Sequence, residues 1–536
     1  MRKLGIALIL LIILSIAGTY FLENWLSKRI PKILNEQQDR DYDLLFEEIN
    51  IHLLQSKVDL QGIRLVPLND SVNTKVSGSL REISMSGMDL LKVIFDRKLE
   101  INELKIVEPS FRLIQKKNKK GTAQESSMAL QLLFQDIISR GEIKDIILEN
   151  GNAEFFRDVD SLVRVGQFTD LNLEIKDLQS DSALIKKDIP FTLESLVANL
   201  KNIEYLVNPD QLIRVKEMTY NSQENSVIFN GIGFTYNSGL LDALSQTEFQ
   251  KDLIEFEVKE LKLSHIDTKS SIYGDLSLIA GLVTIDSLDL IDLRDKNKPR
   301  PSEPVKPMFE GLIEKIPFPL RLDTIRIQNS IISYQEIGEG NSEPANLSFE
   351  NVSAELYNVL TTDSLQQGKT MKLNSRAKLR GHADVEMDIQ VPYGNDVFKL
   401  NATISGFNLP VINELFAKMG KFRVDSGILL GLRLTMDAQK YSSRNTLAFD
   451  YRELKLEMIP DDDSKKGLNT LINSAANLFT SKENIPNSKN YKTASYNTSR
   501  NVYRGPFNLI WESSKEGLIE IVPVGIARTI IGGRKK

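Results

Sequence analysis

The chain has 536 residues, with 67 Lys and Arg against 72 Asp and Glu, a net charge of −5, no cysteine and three histidines. Without a basic excess it lacks the electrostatic footprint of a nucleic-acid binder; without cysteine it excludes disulfides, thiolate catalysis, iron–sulfur clusters and cysteine-ligated zinc. The length exceeds what one hydrophobic core supports, so several domains or an elongated repetitive body are expected.

The first predicted element is the uncharged run from Leu4 to Leu22, with Leu4, Ile6, Leu8, Leu10, Ile12, Leu14 and Leu22 among its apolar residues. At about 1.5 Å of helical rise per residue it crosses most of a hydrocarbon core about 30 Å thick. Arg2 and Lys3 precede it, and Tyr20 and Trp25 sit near its far end as interfacial residues do. Residues 1–37 are therefore read as a transmembrane anchor with a juxtamembrane helix; the alternative is a signal peptide cleaved near Ser15 and Ala17. Lys28, Arg29 and Lys32 follow the run, so the positive-inside count does not set its orientation. Both readings export the remainder if the N-terminus stays inside, and a cysteine-free body suits an oxidising compartment.

Residues 38–297 read as a repetitive β-rich body. Val58-Leu60, Ile63-Leu65 and Leu171-Leu173-Ile175 alternate with polar residues, as strands with one apolar face do. A phrase recurs in which an apolar residue is followed, after two others, by an apolar–x–apolar pair. Its anchors are Ile101, Leu104 and Ile106; Ile143, Ile146 and Leu148; Val258, Leu261 and Leu263; and Leu322, Ile325 and Ile327. Before each copy lies a helix-like stretch: MDLLKVIFDRK, LQLLFQDIISRG, LLDALSQTEFQKDL and MFEGLIEKIPFP. A second phrase, Phe168 to Leu178, returns as Phe349 to Val359. The unit is thus a short helix, a strand, a turn and a strand, unevenly spaced.

Residues 298–308 are proline-rich and charged and read as a linker or exposed loop. Residues 309–460 form a second β-rich part, with alternation at Val385-Met387-Ile389-Val391 and Leu400-Ala402-Ile404 and a short helix opened by Pro410. Residues 461–536 combine an amphipathic helix, with Leu468, Leu471, Ile472, Ala475, Leu478 and Phe479 on one face, and a polar, partly mobile tail from Lys482 to Arg504.

The chain carries no phosphate loop, no nucleophile elbow, no zinc-protease helix and no dinucleotide fingerprint after a strand. His52, His265 and His382 are far apart and read as sheet or surface residues. Asp461-Asp462-Asp463 lacks the ligand spacing of a calcium loop, and Asp286, Asp289, Asp292 and Asp295 recur every third residue, which alternates faces in a strand. No enzyme, cofactor or metal is expected.

The stretch from Ile83 to Ile114, with Leu90, Leu91, Leu99, Ile101, Leu104, Ile106, Pro109, Phe111 and Leu113 in place, resembles the AsmA-like family of Gram-negative envelope proteins. Ala402 to Phe416, Val424 to Met436 and Leu447 to Met458 resemble that family's C-terminal part. The resemblance implies an inner-membrane anchor and a periplasmic, mainly β body with short helices: an elongated, twisted antiparallel sheet rolled into an open apolar groove. It also implies phospholipid and the inner membrane as partners, with outer-membrane or envelope proteins beyond, in outer-membrane maintenance. The twelve repeat anchors are the candidate groove residues. Closed β-sandwiches with a scaffold or assembly role are the alternative reading of the same alternation.

Overall fold

A computed structural model describes residues 18–21, 23–25, 27–28, 42–52, 55–68, 74–88, 99–116, 141–158, 161–178, 193–267, 277–361, 363–414, 422–458 and 483–522. Strands make up 65% of the described residues. Helices there are few and short, so the protein is mainly β. The chain divides into two units, Met1–Gly231 and Ile232–Lys536, and the division falls inside strand β11 (Ser226–Tyr236).

In the first unit β1 (Tyr42–Leu45) and β2 (Glu48–His52) both pair with β3 (Lys57–Pro67), which pairs with β4 (Thr74–Ser86). β4 receives β5 (Leu99–Val107) on one half and β6 (Ser110–Lys116) on the other, all antiparallel. Next come β7 (Gly141–Asp158), β8 (Leu162–Lys176), β9 (Ser195–Leu206) and β10 (Gln211–Asn221), each beside its predecessor. The second unit repeats this meander. It runs through β12 (Leu253–Ile266), β13 (Leu278–Asp295), β14 (Leu320–Ile337), β15 (Pro344–Leu360), β16 (Thr370–Leu379) and β17 (Ala383–Pro392). It closes with β18 (Phe398–Asn408), β19 (Phe422–Ala438), β20 (Ser442–Met458), β21 (Glu483–Asn484) and β22 (Thr493–Ser499).

The pairing corrects the expected all-antiparallel sheet. β5 and β6 run parallel to β7, and β13 runs parallel to β14. Parallel neighbours need a crossover connection; residues 296–319 supply it in the second unit, and the connecting residues 117–140 of the first lie outside the described ones. The second crossover carries α2 (Phe309–Ile313), where a helix was predicted; α1 (Leu240–Ser245) also matches its predicted stretch. The predicted helices at MDLLKVIFDRK, LQLLFQDIISRG and 468–479 lie outside the described residues. So do Leu4, Ile6, Leu8, Leu10, Ile12, Leu14 and Leu22. Among the described residues no helix is long and apolar enough to cross a membrane. Trp25 packs against the first unit's core.

The two parallel junctions are the same structure built twice. Ile101, Leu104 and Ile106 face Ile143, Ile146 and Leu148 in register. In the second unit Ala280, Val283 and Ile285 face Leu322, Ile325 and Ile327 in the same way. The copy on β13 escaped the sequence pattern because Ala280 is a weak anchor. The copy at Val258, Leu261 and Leu263 instead lies on β12, antiparallel to β13. The second phrase falls on β8 and β15, beside β7 and β14, with Ile146–Ile175 and Leu148–Leu173 matching Ile325–Leu356 and Ile327–Ala354.

Even the irregularities recur. Glu108, Asn150, Asp170 and Asp177 have left-handed φ of 51°, 56°, 52° and 53°; their counterparts Ser287, Asn329, Asn351 and Asn358 have 55°, 53°, 52° and 58°. The register of each unit shifts at matching places, around Gly151 and around Ser330. A bulge of this kind adds a residue and exchanges the faces of the strand beyond it. The residues are mostly Asn and Asp, which tolerate that backbone better than other side chains.

The polar stretch 482–504, expected to be partly mobile, is largely built into the second unit. Asn484 donates to Phe449 O (2.8 Å) and Lys492 O (2.9 Å) and accepts from Lys492 N–H (2.9 Å), acting as a surrogate backbone for β21. The helix α3 (Pro506–Ile521), absent from the sequence reading, follows it with Pro506 in its first turn. It lies so close to the sheet that a Cβ on Gly517 would collide with the Tyr496 hydroxyl.

Asn329→Val should cost about 1–2 kcal/mol, because a β-branched residue resists left-handed φ, while Asn329→Gly should be near neutral. Equilibrium denaturation of the three proteins measures this; equal stability of the valine variant would show that the bulge is not held.

Candidate functional site

The repeat anchors are links in rows that cross the strands. In the second unit one row runs Leu263, Val283, Ile325, Leu356, Leu373, Ile389, Leu400 and Met436, each opposite the next. The adjacent row runs Leu261, Ile285, Ile327, Ala354, Ser375, Met387, Ala402, Leu434 and Leu447, with Ser375 its one polar member. The row between them on the opposite face is Lys262, Thr284, Arg326, Glu355, Asn374, Asp388, Asn401 and Thr435. Period-two alternation produces this separation only when register is kept at every junction.

Part of the apolar face is covered, and part of it is only half-buried. At one end α3 packs on β20 and β22: Tyr496 donates to Ser513 O (2.6 Å), Ser443 and Ser513 hydroxyls lie 3.1 Å apart, and Thr498 donates to Glu516 Oε2 (2.5 Å). On the same face the crossover brings Phe309 edge-on to Phe398, with ring centroids 5.0 Å apart, and Phe507 of α3 edge-on to Phe309 at 5.3 Å. Glu310 fixes that crossover by accepting the backbone N–H groups of Gly394 and Asp396, the second at 2.9 Å. On β14 to β18, away from α3, Ile325, Ile327, Leu356, Leu373, Met387 and Ala402 are half-buried, while their row neighbours Ala354 and Ile389 are buried. The residues read as a linker or exposed loop, 298–308, belong to this crossover. Lys298 Nζ donates to Ser245 O (2.9 Å) and Thr247 O (2.6 Å), Lys306 N–H donates to Val502 O (2.8 Å), and Met308 is 1% exposed.

The first unit has matching rows, Ile51, Val58, Met85, Leu104, Ile146, Ile175 and Leu196 among them. Here Ile101, Leu104, Ile106, Ile143, Ile146 and Leu148 are 2–8% exposed and share one core. Of the six candidates in the second unit, Val258, Leu263 and Leu322 are buried while Leu261, Ile325 and Ile327 are half-buried.

Beyond the bulges of β13 and β14 the second unit's apolar face ends in charge. Asp292 and Tyr334 are paired in register, followed by Arg294 and Glu336. Arg294 contacts Asp252, Tyr334 donates to Glu336 Oε2 (2.6 Å), and Lys296 Nζ lies 2.5 Å from Glu336 Oε1. Arg504 donates to Gln250 (2.5 Å), whose amide donates to Lys298 O (2.9 Å). Burial, reinforced by Asp252, pushes the Asp292 carboxyl up to about 6. Burial and then Glu336 push the Tyr334 hydroxyl up, while burial and the neighbouring Arg294 and Arg300 hold the Arg504 guanidinium down. The aspartates at 286, 289, 292 and 295 do not come together. Asp286 is bound by Asn329 (2.7 Å) and Gln328 (3.1 Å), and Asp292 alone joins this cluster, because the bulge at Ser287 turns it onto the apolar face.

The histidines remain apart. His52 lies 3.6 Å from Asp59, and His265 occupies a left-handed bulge position with φ 55°. Among the described residues no three His, Asp or Glu side chains converge as metal ligands do. The chain matches no protein-family model, and no curated protein matches it.

Asp292 binds a proton more readily in the fold than in the unfolded chain, so its contribution to stability is complete below about pH 4 and fades as pH rises through about 6. The melting temperature should therefore fall between pH 5 and pH 7, and Asp292→Asn should flatten that slope. An unchanged slope in the variant would place the titration elsewhere.

Proposed function

We propose that the chain is an anchored, AsmA-like envelope protein that binds or conveys phospholipid along an apolar β-sheet groove, in support of outer-membrane maintenance. The observation that carries this reading is the stretch of the second unit's apolar face on β14 to β17, where rows of Ile, Leu, Val and Met continue from strand to strand and several members keep part of their surface accessible. Such a surface costs about 25 cal/mol for each Å² left in water, and acyl chains satisfy it because they need area rather than directed hydrogen bonds. The opposite face, charged and polar along its length, faces water without cost. The run from Leu4 to Leu22 supplies the anchor in this reading, placing the protein in the inner membrane with its body in the periplasm. No catalytic residue has a role in it.

The second reading, a scaffold of closed sheets, draws on the first unit, whose repeat anchors are buried as core residues are. The two readings separate by position. Ile146→Glu buries an unpaired charge and should cost more than about 4 kcal/mol. Ile327→Glu and Met387→Glu, at half-buried residues, should cost about 1 kcal/mol and strip co-purifying phospholipid from the full chain. Mass spectrometry of extracted lipid beside melting curves reads both effects. A wild-type chain without phospholipid, or unfolding by Ile327→Glu as complete as by Ile146→Glu, would favour the scaffold.

The topology has its own test. Protease added outside spheroplasts should digest the body; a body protected until lysis would contradict the exported orientation.

A further inference from the structure

The charged cluster at the end of the second unit's apolar face has no structural necessity. The first unit builds the same strands in the same register with Leu113 paired to Phe155, where the second has Asp292 paired to Tyr334. Leu113 is 2% exposed and sits beside Val76, the counterpart of Ile254. The fold therefore accepts an apolar pair at this position, and a half-buried carboxylate there is an addition that costs stability.

The added groups are incompletely matched to each other. Asp292 Oδ1 and Arg294 Nε are both buried without a hydrogen-bond partner in the fold. Arg504 is close enough to Arg294 and Arg300 for their charges to depress its proton affinity. Leaving buried polar atoms unpaired costs about 1–3 kcal/mol each, and here an unpaired acceptor and an unpaired donor stand together beside converging cations. The cluster also follows directly on the apolar row of Phe256, Leu290 and Ile332.

We propose that Arg294, Arg300 and Arg504 receive the phosphate ester, and Asp292 the ammonium, of a phospholipid head group whose acyl chains lie along the apolar rows. This rests on the lipid-handling reading above. Guanidinium groups suit phosphate because they present several donors in one plane. The apolar rows take the chains without selecting among head groups, and the cluster supplies that selection. One end of the second unit's face thereby becomes a fixed station for a whole lipid, with the polar end specified.

The test uses the full chain, stripped of lipid and offered equal amounts of phosphatidylethanolamine and diacylglycerol of matching acyl chains. Native mass spectrometry counts what is bound. The wild type should retain phosphatidylethanolamine about tenfold over diacylglycerol. Arg300→Gln, at an exposed residue, and Arg504→Gln should abolish that ratio while diacylglycerol binding and the melting transition persist. Asp292→Asn should lower phosphatidylethanolamine against phosphatidylglycerol. Wild-type ratios in Arg300→Gln, or no head-group preference in the wild type, would overturn the site and leave acyl binding standing. Failure of the wild type to bind either lipid would instead remove the reading beneath it. Displacement of bound lipid by excess inorganic phosphate alone would assign the cluster to free phosphate and overturn the head-group proposal.

Discussion

Register is the constraint on which the rest of this protein depends. A strand presents its apolar set to one side only while its pairing is kept, and a slip of one residue turns that set to water. Across the second unit, eight successive strands keep Leu263 through Met436 in one row without a polar interruption. The pinning devices are the left-handed bulges, placed at matching positions in both units and occupied mainly by Asn and Asp. Each bulge exchanges the faces beyond it, so neighbouring strands must bulge together for a row to continue. Asn150 beside Asp170, and Asn329 beside Asn351, are such coordinated pairs.

Duplication of this arrangement lets the two units be read against each other. Their shared features, the parallel junction, the bulges and the rows, are what the fold requires. Their differences are where requirement ends. The first unit seals its repeat anchors in a core with Trp25, Leu44 and Phe46 packed against it. In the second unit the equivalent rows run on to Leu447 beneath α3, and Ile325, Ile327, Leu356, Leu373 and Met387 along them are half-buried. Among the described residues the charged cluster likewise stands only in the second copy.

Much of the strand content was legible because alternation is a local signal. Val385 to Val391 and Leu400 to Ile404 fall on β17 and β18 with their apolar residues on one face. The repeat phrase was legible too, and its first two copies stand side by side. Parallel pairing was not legible, since a strand alternates with period two whatever the direction of its neighbour. Nor was the cluster: Asp252, Asp292, Tyr334 and Arg504 come from distant segments, and only the bulge at Ser287 brings Asp292 to the apolar side. β22 was hidden by a composition of Thr, Ser, Asn and Tyr that reads as loop until Tyr496 and Thr498 find partners on α3. α3 itself carries a narrow buried stripe of Leu509, Ser513, Gly517 and Ile521, small in its centre because the sheet lies so close.

Whether lipid touches the apolar face is the central claim, and contact can be measured residue by residue. A photo-activatable side chain at Ile327 or Met387, in the full chain within its native membrane, should give covalent phospholipid adducts on irradiation, identified by mass spectrometry. The same group at Arg326 or Asp388, on the opposite face, should give none. Adducts to protein alone at Ile327 and Met387, or equal lipid labelling of both faces, would contradict the account.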